Sequence, residues 1–261
     1  MTQFGNGYID YFVPGDYDGD GRTDLAVWRG KNEVTSGFWI WRRSTDGNWG
    51  YVKLGTGFTA GDHPVQGDYD GDGKTDVSVF RPSGGSWYIS NSSNAQFRAV
   101  NFGLKGDLIA PADFDNDDKT DIAVFRAGIW YILNSSNGVV RTEQFGVAND
   151  KPVAADYDGD GKADLAVFRS GNWFIVNSSD NQFRAVNWGL SDDLPVPGDF
   201  DGDQKADIAV FRPADGAWYL LQSTAGFAAV NFGVAEDKPV VGDYDGDQKA
   251  DVAVFRPSAG T

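Results

Sequence analysis

The chain is 261 residues long, has no cysteine and carries a formal net charge of −16. Disulfide staples, thiolate metal sites and cysteine nucleophiles are therefore excluded, as is the basic surface that nucleic acid or an anionic membrane would need. No apolar run approaches the roughly 18 residues of a membrane-spanning helix, and no charged segment leading into an apolar one follows Met1, so the chain is expected to be already trimmed.

Taken in chain order, the elements repeat. Residues 1–5, MTQFG, read as the tail of a strand. The acidic string DYDGDGRTD follows at residues 16–24 and returns as DYDGDGKTD at 68–76, DFDNDDKTD at 113–121, DYDGDGKAD at 156–164, DFDGDQKAD at 199–207 and DYDGDQKAD at 243–251. The context recurs as well: PVxGD before each string, an AVFR-type segment after it, then a Gly-rich turn, W-[YF]-[IL], an NSSN-type turn and a segment ending in VNFG. These units read as four short strands each, a to d, separated by Gly, Asn, Ser and Pro turn signals. They begin near residues 11, 63, 108, 151, 194 and 238. Strand b is apolar on both sides, so each small sheet needs a neighbour on each face, which is the requirement of propeller blades around an axis.

The expected fold is an all-β propeller in one domain over residues 1–261, with six blades, or seven in a longer parent chain. The final repeat stops after strand b, so its blade is expected to be incomplete or closed by residues 1–8. The chain is also expected to work as part of a longer polypeptide or an oligomer.

The acidic strings carry the chemistry. Carboxylates at positions 1, 3, 5 and 9 of a tight loop, with a backbone carbonyl from position 7, aim hard oxygen ligands at one centre, a donor set that suits calcium better than magnesium. The expected ligands are Asp16, Asp18, Asp20, Arg22 and Asp24; Asp68, Asp70, Asp72, Lys74 and Asp76; Asp113, Asp115, Asp117, Lys119 and Asp121. They continue as Asp156, Asp158, Asp160, Lys162 and Asp164; Asp199, Asp201, Asp203, Lys205 and Asp207; Asp243, Asp245, Asp247, Lys249 and Asp251, with each Arg or Lys acting through its carbonyl. The carboxylates at these four positions are 24 of the 38 acidic residues, and six calcium ions would bring the net charge to about −4. An EF-hand is excluded, because position 12 is Val27, Val79, Val124, Val167, Val210 or Val254, which cannot ligate. Position 6 requires a left-handed backbone, so Asp118, Gln204 and Gln248 there predict weaker sites.

D-x-D-G-D-G-x-x-D between two strands, followed by AVFRP and flanked by FG, resembles the FG-GAP repeats of integrin α-subunit propellers, the related bacterial VCBS-type repeats and an integrin-like fungal lectin propeller. The resemblance implies calcium in the a–b loops and a secreted or cell-surface protein, bacterial by kinship, used in adhesion or glycan binding.

A ligand is expected on the face opposite the calcium loops. That face carries Arg29, Arg81, Arg126, Arg169, Arg212 and Arg256, together with Asp107, Asp150, Asp193 and Asp237, read as ion pairs between blades. The strand-c residues Trp87, Trp130, Trp173 and Trp218 read as core. Module one departs from the pattern with a longer b–c loop, so Lys31, Trp39, Trp41, Trp49 and His63 are the candidate ligand residues. Asn91, Asn134 and Asn177 head N-x-S sequons that read as hairpin turns. With one histidine and no cysteine, no catalytic triad assembles, so the function expected is a glycan- or protein-binding module and not an enzyme. A structural repeat unit and a polysaccharide lyase or hydrolase are the alternatives.

Overall fold

The structure is a computed structural model that describes residues 4–5, 10–30, 36–56 and 61–261. Five antiparallel four-stranded sheets follow one another along the chain. The first joins β1 (Asp10–Phe12), β2 (Leu25–Arg29), β3 (Phe38–Arg42) and β4 (Trp49–Lys53). The second joins β5 (His63–Pro64), β6 (Val77–Arg81), β7 (Ser86–Ser90) and β8 (Phe97–Asn101). The third comprises β9 (Leu108–Ile109), β10 (Ile122–Arg126), β11 (Ile129–Leu133) and β12 (Val140–Gln144). The fourth comprises β13 (Lys151–Pro152), β14 (Leu165–Arg169), β15 (Asn172–Val176) and β16 (Phe183–Asn187). The fifth comprises β17 (Leu194–Pro195), β18 (Ile208–Arg212), β19 (Ala217–Gln222) and β20 (Gly226–Asn231). The sixth repeat supplies only β21 (Lys238–Pro239) paired with β22 (Val254–Phe255).

The blade count is thus five, and the expectation of six or seven is corrected. The physical reason lies in the sixth repeat, where the backbone after β22 turns on itself, Gly260 N–H donating to the Arg256 carbonyl at 2.9 Å, and β22 pairs with β21 alone among the described residues.

The b strands explain the stacking. Along β10, Ile122 and Val124 pack with Phe80, Trp87 and Ile89 of the second blade, whereas Ala123 and Phe125 pack with Ala163 and Val167 of the fourth. A strand's two-residue period therefore splits one pentapeptide between two interblade cores. The same division recurs at β2 with β6, at β14 with β18, and between Ala209 and Phe211 of β18 and Val252 and Val254 of the sixth repeat. Each c strand adds a tryptophan, and Trp39, Trp87, Trp130, Trp173 and Trp218 are all fully buried. Burial of one such ring contributes on the order of 3 kcal/mol.

The acidic loops add a second order of contact. In each, the position-8 N–H donates to the position-1 carbonyl of the loop before it: Thr75 to Asp16, Thr120 to Asp68, Ala163 to Asp113, Ala206 to Asp156 and Ala250 to Asp199, at 2.6–2.7 Å. Thr23 N–H then donates to the Asp243 carbonyl at 2.6 Å, which closes the cycle from the sixth loop to the first.

Candidate metal sites

Each loop is wound by its own first carboxylate. Asp16 Oδ1 accepts the Gly19 N–H at 2.6 Å and Oδ2 accepts the Gly21 N–H at 2.8 Å, and the other five loops repeat this with Asp68, Asp113, Asp156, Asp199 and Asp243. Winding so tight requires a left-handed backbone at position 6. Gly21, Gly73 and Gly161 supply it at no cost, whereas Asp118, Gln204 and Gln248 adopt it at φ of 62°, 68° and 67°.

The ninth carboxylate joins three segments. Asp76 Oδ2 accepts the Tyr69 N–H at 2.8 Å and Oδ1 accepts the Ser92 N–H of the c–d turn at 2.6 Å, with equivalent bonds on Asp24, Asp121, Asp164 and Asp207. The c–d turn also holds the fifth and third carboxylates, as when Ser92 Oγ donates to Asp72 at 2.8 Å and Ser93 Oγ to Asp70 at 2.6 Å. These serines and threonines went unread as site residues in the sequence, although each leading serine falls five places after the strand-c tryptophan.

The carboxylates converge without full satisfaction. Oxygens of Asp16, Asp18 and Asp24 lie within 4.8 Å of one another, and so do those of Asp68, Asp70 and Asp76, of Asp113, Asp115 and Asp121, of Asp156, Asp158 and Asp164, and of Asp199, Asp201 and Asp203. In the first four of these loops Asp20, Asp72, Asp117 and Asp160 turn to c–d serines, outside the triads. Asp18, Asp70, Asp115 and Asp201 each keep a buried Oδ1 with no hydrogen-bond partner among the described residues. A buried carboxylate oxygen without a donor costs free energy, and a cation in the cluster would remove that cost, so the clusters fit a hard metal ion. Burial pushes the Asp76 and Asp164 carboxyls up to about 6 against the backbone N–H bonds that pull them down, and the facing Asp70 and Asp158 add to the rise. Asp24, Asp121 and Asp207 are raised from the same leading cause.

The profile of the FG-GAP-like repeat family matches residues 16–79, 68–124 and 156–210, more than half of the chain. The chain belongs to this family. No curated protein matches it. Among solved structures, these FG-GAP-like repeats are similar to an Agrocybe aegerita lectin described by its specific recognition of non-reducing terminal N-acetylglucosamine. The TM-score is 0.65 at 16% identity, over 95% of this chain and 74% of that one. A catalytically inactive virginiamycin B lyase from Staphylococcus aureus, solved with quinupristin, follows at TM-score 0.56 and 8% identity, over 95% of this chain and 87% of that one. A streptogramin B lyase gives 0.55 at 9% identity, over 95% and 86%. At these identities the likeness is one of fold.

The remaining candidates of the FG-GAP-like chain fall out differently. Arg29, Arg81, Arg126, Arg169, Arg212 and Arg256 pair with Asp10, Asp62, Asp107, Asp150, Asp193 and Asp237 at 2.5–2.9 Å. Each pair ties the residue that opens or immediately precedes strand a to the last residue of the strand b with which strand a pairs, which corrects the expectation of bridges between blades; the register sets Asp10 directly opposite Arg29. Asp62, Asp107, Asp150, Asp193 and Asp237 also accept the N–H that follows the glycine ending each d strand's FG-type pair, as Leu104 N–H donates to Asp107 at 2.7 Å. The guanidinium groups of Arg81, Arg126, Arg169 and Arg212 lie over strand-c aromatics, Arg212 at 4.2 Å from the Tyr219 ring centroid.

Among the described residues module one holds no assembled ligand cluster. Trp39 is 0% exposed and cannot present a face to a ligand, which corrects its assignment. Trp41 is half-buried and stacks on Tyr17 at 5.0 Å. Trp49, 62% exposed and stacked on Phe4 at 5.2 Å, opens β4 at the c–d turn, on the loop face. His63 is exposed at the start of β5, opposite Phe80, and so stands at the other end of its blade. Lys31 lies outside the described residues.

Proposed function

We propose that the chain is an exported, calcium-stabilised binding module of lectin-like type, with calcium in the acidic loops as a structural ion and the ligand on the opposite face. The unpartnered buried oxygens of Asp18, Asp70, Asp115 and Asp201 inside three-carboxylate clusters support the calcium reading most directly. Asp16, Asp18 and Asp24 and their equivalents would hold the ion, supplying charge and hard oxygens in a closed loop. The shared fold with the Agrocybe aegerita lectin favours a glycan as the ligand class. Exposed His63 stands on the face of the b–c turns and d–a connections, to which the sequence also assigns the Lys31 loop. Export follows from affinity, because millimolar calcium outside cells fills sites that cytosolic calcium would leave empty; no described helix is long and apolar enough to cross a membrane.

The test is a glycan array read with calcium and again with chelator. Calcium-dependent binding that weakens on His63→Ala or Lys31→Ala supports the reading. Turnover of a polysaccharide would assign an enzyme instead, and no binding at all would leave a structural repeat unit.

A further inference from the structure

The third carboxylate of a loop is divided between two tasks. Ser93 Oγ donates to Asp70 Oδ2, Ser136 Oγ to Asp115 Oδ2 and Ser179 Oγ to Asp158 Oδ2, each at 2.6 Å, and Thr45 Oγ1 donates to Asp18 Oδ2 at 2.5 Å. The other oxygen is left over. On Asp18, Asp70 and Asp115, Oδ1 is buried with no hydrogen-bond partner among the described residues, and on Asp158 it accepts the Asp160 N–H at 3.2 Å. These four aspartates are the middle members of the carboxylate triads in the first four loops.

Neither turn closure nor packing calls for a hydroxyl at these places. In blade two the c–d turn is closed by its backbone, Asn91 N–H donating to the Gln96 carbonyl at 3.0 Å and Ala95 N–H to the Asn91 carbonyl at 2.9 Å. The same two bonds close residues 43–48, 134–139 and 177–182. Thr45, Ser93, Ser136 and Ser179 are all exposed. Blade five reaches the same end by another route. Its c–d turn has three residues, 223–225, where the others have six, and there Thr224 and Ala225 N–H donate to Asp201 Oδ2 at 3.0 and 2.8 Å. Asp201 Oδ1 is again buried and without a partner among the described residues. Different donors on turns of different length thus hold the same carboxylate oxygen, so the hold and not the donor is what the five modules share.

A carboxylate turns easily about its Cβ–Cγ bond, a broad torsion, so winding of the loop alone would not fix where the third oxygen points. A donor on Oδ2 sets the plane of the group and reserves Oδ1, and a neutral donor does so without cancelling the charge that a cation needs. We propose that Thr45, Ser93, Ser136 and Ser179 are positioning residues of the metal sites, each orienting the third carboxylate so that one oxygen stays free for the ion, a role that rests on the calcium reading of these clusters. The outer hairpin of a blade then belongs to the site as much as the acidic loop does. A complete site is written in the sequence as the nonapeptide together with the hydroxyl on the hairpin that follows it.

The experiment titrates the whole chain with calcium chloride in a calorimeter and compares two combined variants. One carries Thr45→Ala, Ser93→Ala, Ser136→Ala and Ser179→Ala; the other keeps a hydroxyl at each place through Thr45→Ser, Ser93→Thr, Ser136→Thr and Ser179→Thr. The alanine variant is expected to need about tenfold more calcium at the midpoint, whereas the hydroxyl-retaining variant should stay within about twofold of the native chain. Tm supplies the second reading, and the alanine variant should lose more of it in calcium than in chelator. Hydroxyls that merely tie the hairpin to the loop would lower Tm alike in both and leave the midpoint where it was, which would overturn the positioning role alone. A midpoint moved equally far by the hydroxyl-retaining variant would overturn it too. A native chain that takes up no calcium would overturn the role and the calcium reading together.

Discussion

Gln204 and Gln248 hold a backbone conformation that L side chains resist, at φ of 68° and 67°, because the Asp199 and Asp243 carboxylates need their N–H groups at that point of the loop. Replacing Gln204 by Gly should therefore stabilise the chain by about 1 kcal/mol in urea unfolding, while Gly202→Ala, which sets a Cβ 3.0 Å from Lys249 Cε at φ 82°, should destabilise it. Titration is the other residue-scale lever. Asp76 and Asp164 are raised to about 6 in the folded chain, against about 3.9 unfolded, so between pH 4 and 6 the metal-free folded state binds more protons than the unfolded state. Its stability must fall as pH rises through that window. Calcium needs the deprotonated groups, so the calcium-induced rise in Tm should be larger at pH 7 than at pH 5. A gain of equal size at both values would contradict the clusters as the site. At this scale the sequence was legible where spacing dictates geometry, since the left-handed demand at position 6 could be read from Gly alternating with Asp and Gln. Trp39 was misread because module one departs from the repeat pattern and was taken as a whole for the ligand site, whereas the strand's two-residue period turns Trp39 inward, as it turns Trp87 and its equivalents.

Between strands, the Arg–Asp pairs repeat a single device that fixes strand a on strand b and pins the incoming d–a connection. Asp107 has a side chain 1% exposed, so Arg126→Leu would leave a buried carboxylate unpaired. The guanidinium is 34% exposed and already partly screened, which places the expected loss near 2 kcal/mol instead of the larger figure for a sealed pair. Denaturant unfolding of the variant measures it, and Arg126→Lys should recover only part, because a single ammonium cannot make both bonds at 2.6 and 2.7 Å. Truncating a strand-c tryptophan such as Trp130→Ala should cost about 4 kcal/mol, mostly as cavity in the third interblade core. The sequence announced both residue types at constant places. It did not announce that the pairs lie within a repeat, because that follows from the register that sets Asp10 against Arg29, and register is settled by the hydrogen-bonded ladder and not by spacing along the chain. The c–d serines were missed for a related reason: Asn and Ser suit a hairpin turn by themselves, and only folding brings them across to Asp70 and Asp72.

For the whole molecule, chelation is the decisive test of the proposed calcium. If several loops are filled at well above their dissociation constants, each contributes on the order of 2 to 3 kcal/mol, and chelation should lower Tm by about 10 °C or more. A shift of a degree or two would argue that the carboxylate clusters stand without metal. Repeat periodicity made the propeller legible before any coordinate, because five recurrences of four strand-sized segments and a sixth of two leave few other architectures. The number of blades was not legible in the same way. Counting loops gives six, counting complete sheets gives five, and the difference lies in the two-stranded sixth repeat.

The loop-to-loop hydrogen bonds lead somewhere further. A solenoid has a first and a last repeat, each with a bare face that must be capped, but the six loops form a circuit in which Asp243 and Thr23 meet as any other neighbours do. Around that circuit every loop has a neighbour on each side, so strain placed in one, such as the left-handed Gln204 or Gln248, can relax in either direction. Metal entering one loop stiffens the carbonyl to which the next loop is hydrogen-bonded, so occupancy should spread around the wheel as a concerted event, visible as a calcium titration steeper than independent sites would give.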